Sequence, residues 1–176
     1  FYGYQFAGID ANGNMLVLDD KGNAQPVGSA DASWKRYIGN GAPKHNLSWT
    51  NSFSFYNFDL SILFTGAFDF DIFNMRKYGM GLSGSGSDNV LRTAYTTEKY
   101  VKTGGGVISS YFLEDGSYFK LDNITLGYTF RWKDKLVDGL RLYLTAKNIA
   151  TMTRYSGNDP SIVAVTGITP GVDSSS

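Results

Sequence analysis

Few residues of this chain are of the types that do chemistry, and they lack the partners that catalysis requires. The sequence has no cysteine and one histidine, His45, which excludes thiolate nucleophiles and multi-histidine metal sites. Asp69 and Asp71 are close enough in sequence to act as paired carboxylates, but no base or nucleophile accompanies them. The sequence therefore predicts no catalytic residue, no metal site and no bound cofactor, and we expect a protein that is not an enzyme.

Two motifs imitate ligand sites without the structural context of such sites. Residues 79–84 satisfy the pattern G-x-G-x-x-G, but glycine and serine continue past it where a dinucleotide site needs a helix. Asp10, Asn12 and Asn14 imitate the start of a calcium loop, but Lys21 stands where that loop needs a glutamate. We interpret the first motif as a loop and the second as a turn.

The composition argues against disorder, because its many aromatic rings need burial. Aromatic residues make up 15% of the 176 residues, whereas charged residues reach only 18%, below the roughly 25% of soluble domains. The formal net charge is +0, so no global field favours nucleic acid as a partner. Mean hydropathy is −0.21 and no apolar run is long enough for a transmembrane helix. Alternating transmembrane strands would average to such a value, so a membrane location stays open.

Alternation of apolar and polar residues predicts four long antiparallel strands in one sheet, at residues 47–56, 58–68, 117–130 and 140–149. Asn57 is expected in the first turn, with Phe55 paired to Leu60 and Phe53 to Ile62. The apolar face of the sheet is predicted to carry Phe53, Phe55, Leu60, Ile62, Leu126, Leu142 and Leu144.

Short and long connections alternate along the chain. Two short turns, at Asn57 and at residues 131–139, are flanked by aromatic residues, whereas residues 69–116 and 151–176 are long connections. Outer-membrane barrels have this arrangement, with aromatic girdles at both membrane boundaries. Phe68, Phe70 and Phe73 are expected at the second boundary. The alternative is a soluble carbohydrate-binding β-sandwich, in which the apolar face would pack against a second sheet.

Several segments, in order, resemble one family of membrane transporters. Residues 114–128 read EDGSYFKLDNITLGY, which resembles a segment near the end of SusC/RagA-type TonB-dependent transporters. Residues 140–160 resemble the segment after it, and shorter matches lie at residues 6–10, 38–40, 43–44 and 58–61. Two positions depart from the family pattern: Lys120 stands where arginine is usual, and Ser161 replaces a common glutamate.

The resemblance implies antiparallel up-and-down strands that form part of a transmembrane β-barrel, 22-stranded in the family, with long external loops. Residues 1–176 would be the C-terminal portion of that barrel, with the plug domain, the TonB box and the last strand outside it. The protein would lie in the outer membrane of a Gram-negative bacterium as a multi-pass barrel. It would import oligosaccharides or peptides, energised by the TonB complex and lidded by a SusD-like lipoprotein.

The contacts expected with substrate or lid follow from the long connections, which would lie outside the cell. Four tyrosines there could stack on a sugar ring or pack against a partner: Tyr78, Tyr95, Tyr100 and Tyr155. The four predicted strands alone would leave two open edges, so we also expect that the chain needs further strands to fold.

Overall fold

The computed structural model describes residues 1–82, 89–92, 94, 101–102, 106–132, 139–162 and 170–173. The strands before the long sheet are β1 (Tyr2–Gly3), β2 (Phe6–Ile9), β3 (Met15–Leu18), β4 (Ala24–Pro26) and β5 (Arg36–Tyr37). The remaining elements are β6 (His45–Phe55), β7 (Phe58–Phe68), β8 (Asp71–Asn74), α1 (Met75–Met80), β9 (Leu113–Asp115), β10 (Tyr118–Arg131), β11 (Gly139–Thr153) and β12 (Val172–Asp173). Within these residues, no helix combines the length and the apolar character that crossing a membrane requires.

The four long strands form one antiparallel sheet in the order β11-β10-β7-β6, which confirms the predicted sheet. The predicted register of the first hairpin is wrong by two residues, because Phe55 pairs with Phe58 and Phe53 with Leu60. Tyr56, with φ of 52°, takes the left-handed conformation that was expected of Asn57. A shift of two residues leaves each side chain on its predicted face.

A β-bulge at Asp122 explains why β10 alternates unevenly in sequence. Leu121 pairs with Phe64 and Asn123 with Leu63, so Asp122 has no partner on β7. The extra residue puts the odd-numbered Leu121 on the same face as the even-numbered Ile124.

Direct cross-strand pairing places the predicted apolar residues on one face of the sheet. Phe53, Leu60, Leu126 and Leu144 form one such row, and the next row ends at Leu142. Many of these side chains are exposed, Leu144 by 75% and Phe55 by 70%. No second sheet of the described residues pairs with or covers this face in the manner of a sandwich.

The two ends of the sheet differ. The turn after β6 lies beside the last residues of β10, since Thr129 donates its backbone N–H to the carbonyl of Asn57 at 2.8 Å. We call this the turn end, and the opposite end the loop end. Rings border the apolar face near both: Phe58 and Tyr128 lie 4.6 Å apart at the turn end, and Trp49, Phe64 and Phe119 stack at 5.6 Å spacings toward the loop end.

A compact unit with its own core stands at the loop end; we call it the loop-end unit. It contains the small sheets β2-β3-β4, β1-β5 and β12-β8-β9 together with α1. Its larger core holds seven buried residues: Tyr4, Met15, Val17, Phe73, Leu82, Val101 and Phe112. The expectation that Phe70 and Phe73 mark a membrane boundary is wrong, because both rings are buried in this unit.

The turns of the loop-end unit satisfy their own polar groups. One carboxylate oxygen of Asp10 accepts the backbone N–H groups of Asn12 and Asn14, and the other accepts the Asn14 amide, all at 2.8 Å. Asp19 and Asn23 repeat the arrangement. The suspected calcium motif is therefore a turn, as interpreted from its sequence.

Candidate functional site

The second face of the long sheet is lined mainly by hydroxyl groups. The hydroxyl-bearing residues of this face include Ser48, Thr50, Ser52, Ser54, Ser61, Thr65, Thr125, Thr129, Thr145 and Thr151. The hydroxyls of Thr125 and Thr145, paired across β10 and β11, lie 3.0 Å apart. Such a wall presents donors and acceptors to water or to a polar solute without a strong charge.

One ion pair crosses this polar face near the turn end. The Nε of Arg141 donates to an Asp59 carboxylate oxygen at 3.0 Å, and a second guanidinium nitrogen donates to the other oxygen. Gly127 lies between them in the sheet, and a Cβ there would meet the Asp59 carboxylate at 2.5 Å. Because Gly127 has no side chain, the Asp59 carboxylate on β7 and the Arg141 guanidinium on β11 can meet above β10 in a two-point contact.

A buried lysine ties the polar face to the loop-end unit. Lys120 on β10 is 5% exposed, and its ammonium group donates to Asp159 at 3.1 Å and to Ser161 at 2.8 Å. The two positions that depart from the family pattern, Lys120 and Ser161, are therefore in contact. The segment after β11 folds over the polar side of the sheet at this point.

A cavity of about 540 Å³ opens in the loop-end unit beside α1. Glu114 lines this cavity and accepts two hydrogen bonds. One carboxylate oxygen accepts the Ser156 backbone N–H at 2.9 Å, and the other accepts the Asn74 side-chain amide N–H at 3.3 Å. The Lys77 ammonium lies 3.5 Å from Glu114 and donates to the Tyr111 carbonyl at 2.9 Å. Sequence analysis missed this cluster, because its members come from segments far apart in the chain.

The predicted contact tyrosines lie in different surroundings. Tyr155 is 6% exposed, packs with Ala67, Phe70 and Ile72, and donates its hydroxyl to Asp173. Burial, with this hydrogen bond, raises the pKa of the Tyr155 phenol far above its usual range, so it stays protonated.

Tyr78 is half-buried, with its ring 5.1 Å from Phe112 and 5.6 Å from Phe73. Tyr95 and Tyr100 lie outside the described residues. The contact role of all four stays a prediction.

Asp69 and Asp71 border a second, polar recess of about 460 Å³, and each carboxylate has a partner. Asp69 pairs with the Lys44 ammonium at 2.8 Å, which raises the pKa of that lysine, and Asp71 accepts the Asn40 backbone N–H at 2.8 Å. Among the residues described, no group of three or more histidine, aspartate or glutamate side chains could hold a metal.

Comparison with known proteins finds relatives among receptors of one kind. The chain is 31% identical to TonB-dependent receptor SusC of Bacteroides thetaiotaomicron over 92% of its length. It is 28% identical to TonB-dependent receptor P3 of Formosa agariphila over 91%. It spans under a fifth of these relatives, 17% and 18% respectively. No family model matches the chain.

Solved structures share its fold. The RagAB peptide importer in its "open-open" state superposes with a TM-score of 0.76 at 20% identity, over 98% of this chain and 20% of that one. The "closed-closed" state gives 0.74 at 22% identity, over 98% and 21%. The four-stranded sheet and the loop-end unit are thus a part of a transporter barrel fold that is not closed within this chain.

Proposed function

We infer that this chain belongs to the SusC/RagA-type TonB-dependent receptors and that it forms part of the wall and the external loops of an outer-membrane importer. The observation that carries the proposal is the pair of opposed faces on one sheet. The apolar face is exposed and bordered by rings, whereas the other face is hydroxyl-rich. A strand sequence of this kind is stable where one face meets lipid and the other a polar interior.

The strand lengths fit that placement. β6 and β7 have 11 residues each, and a transmembrane strand needs about 9–11 residues when tilted by about 45°. The soluble carbohydrate-binding sandwich has no comparable support, because its second sheet would have to cover the apolar face.

The substrate and partners are proposed from the relatives. Both curated relatives are named TonB-dependent receptors, so import would be energised by the TonB complex through a region outside this chain. The solved neighbour is a peptide importer, and the substrate here would be a peptide or an oligosaccharide. A SusD-like lipoprotein would close over the loop end, and the proposed contacts with substrate or lid are Tyr78, Tyr95, Tyr100 and Tyr155.

Deletion of the complete receptor's gene tests this function in the bacterium that carries it. We expect uptake of one class, labelled oligosaccharides or labelled peptides, to be lost, and the same loss when TonB is deleted. Restoring the gene should restore uptake. Unchanged uptake of every member of both classes would contradict the proposal.

The orientation has its own test, since the turn end would face the periplasm and the loop end the medium. Cysteine introduced at Asp20, an exposed residue of the loop-end unit, should react with a membrane-impermeant maleimide on intact cells. Cysteine at Asn57 in the turn should react only after the outer membrane is opened. The reverse pattern would overturn the orientation.

A further inference from the structure

The proposed import function assigns no ligand to the cavity beside α1, and the lining of this cavity carries a charge excess. Arg76 and Lys77 contribute two cations, and Glu114 contributes one carboxylate, which leaves a net charge of +1. The carboxylate is already engaged by Ser156, Asn74 and Lys77. The charge of the lining that remains available to a ligand is therefore positive.

Arg76 supplies the free donor group. It is exposed, and among the described residues it makes no hydrogen bond or ion pair, while it lines the cavity directly. A guanidinium presents paired N–H donors whose spacing matches the two oxygens of a carboxylate. Lys77 stands next to it, held against the Tyr111 ring with its ammonium 4.4 Å from the ring centre.

The rest of the lining suits a small organic body. Leu91 and Ala94 form an apolar wall, and Gly81 and Gly157 contribute backbone to the lining. A volume of about 540 Å³ lies within the range of about 300–1,000 Å³ that is usual for small-molecule sites.

From these contacts we infer that the cavity is a binding site for a small molecule that carries a carboxylate on an apolar or ring-shaped body. Arg76 holds the carboxylate, and Leu91 and Ala94 contact the body of the ligand.

Two pairs of probes test the inference on the complete receptor purified in detergent, by titration calorimetry. Glucuronate is compared with glucose, and N-acetyl-leucine with N-acetyl-leucinamide, so that each pair differs mainly in the carboxylate. We expect at least one acid to bind, and its neutral partner to bind at least about tenfold more weakly, the effect of losing one charge-assisted contact. The acid that binds identifies the source, a sugar acid or a peptide terminus.

Variants locate the binding. Arg76→Gln should weaken the acid about tenfold, and Arg76→Lys should weaken it less. Lys21→Gln, at an exposed cation in a distant turn, is the matched control and should change nothing. The inference is overturned if neither acid binds, if a neutral partner binds as well as its acid, or if Arg76→Gln binds like the unchanged receptor.

Discussion

The long sheet and the loop-end unit place apolar residues in opposite ways. In the sheet, Leu142 and Leu144 are exposed on a continuous apolar face. In the loop-end unit, Phe112 and Met15 are fully buried, with 0% exposure. The loop-end unit buries its apolar side chains internally, whereas the sheet would need lipid to cover its apolar face in the proposed membrane placement.

The largest effect is expected from truncating a buried side chain in the core of the loop-end unit. Phe112→Ala removes a ring that packs against Tyr78 and Tyr111, each 5.1 Å away, at a cost of about 3–5 kcal/mol. Protease cleavage of the loop-end unit in the complete receptor should become much faster. Phe53→Ala, on the exposed apolar face, is the matched control, because lipid can fill the space. Equal cleavage rates for the two variants would contradict the claim that the two regions place their apolar side chains in opposite ways.

A charge on the apolar face should cost nearly as much, but only if that face meets lipid. Leu126→Arg places a guanidinium in the centre of the face, at about 2–4 kcal/mol near the bilayer midplane. Urea unfolding of the complete receptor in lipid vesicles measures this cost. Thr125→Arg, next along the same strand and on the polar face, should cost much less. A larger loss for Thr125→Arg would mean that the faces are assigned the wrong way round.

A smaller effect is expected from the polar cluster of the loop-end unit. Glu114→Gln removes the ion pair with Lys77 and weakens the hydrogen bonds from Asn74 and Ser156, at a cost of about 1–2 kcal/mol. Hydrogen exchange of the β9 amides should speed up while that of β7 stays unchanged. Asp20→Asn, at an exposed carboxylate, should alter neither. Faster exchange in β7 would show that the sheet and the unit unfold together.

The smallest effect is expected at the ion pair of the polar face. Asp59 and Arg141 are both partly exposed, and such pairs contribute about 0–1 kcal/mol. Asp59→Asn should therefore shift the urea midpoint of the receptor only slightly. A loss as large as that of Leu126→Arg would show that this pair is shielded from water.

Strand positions could be predicted from sequence because period-two alternation is a local property. β7 was predicted with the bounds that it has, since Phe58, Leu60, Ile62 and Phe64 form an apolar row against a mainly polar one that Leu63 interrupts. The turn register could not be predicted, because it depended on Tyr56 adopting a left-handed backbone, which a tyrosine rarely does. The bulge at Asp122 was visible only as uneven alternation.

The loop-end unit was harder to predict, because its order comes from contacts between distant segments. α1 was not predicted, since six residues containing a glycine carry no helical periodicity. Phe70 and Phe73 carry the same signal as membrane-boundary rings, and only tertiary packing distinguishes the two. The Glu114 cluster, likewise, joins Glu114 to Asn74 and Ser156, which are 40 and 42 positions away in the chain.

Fluorescence quenching at two adjacent residues of β11 tests the central claim most directly. Leu144 and Tyr143 lie on opposite faces and are exposed by 75% and 67%. Each would be replaced by cysteine in the complete receptor, labelled with a fluorophore and placed in vesicles containing doxyl-labelled lipid. The label at Leu144 should be quenched by the lipid and the label at Tyr143 should not. Equal quenching, or quenching at Tyr143 alone, would contradict a sheet whose apolar face meets the membrane.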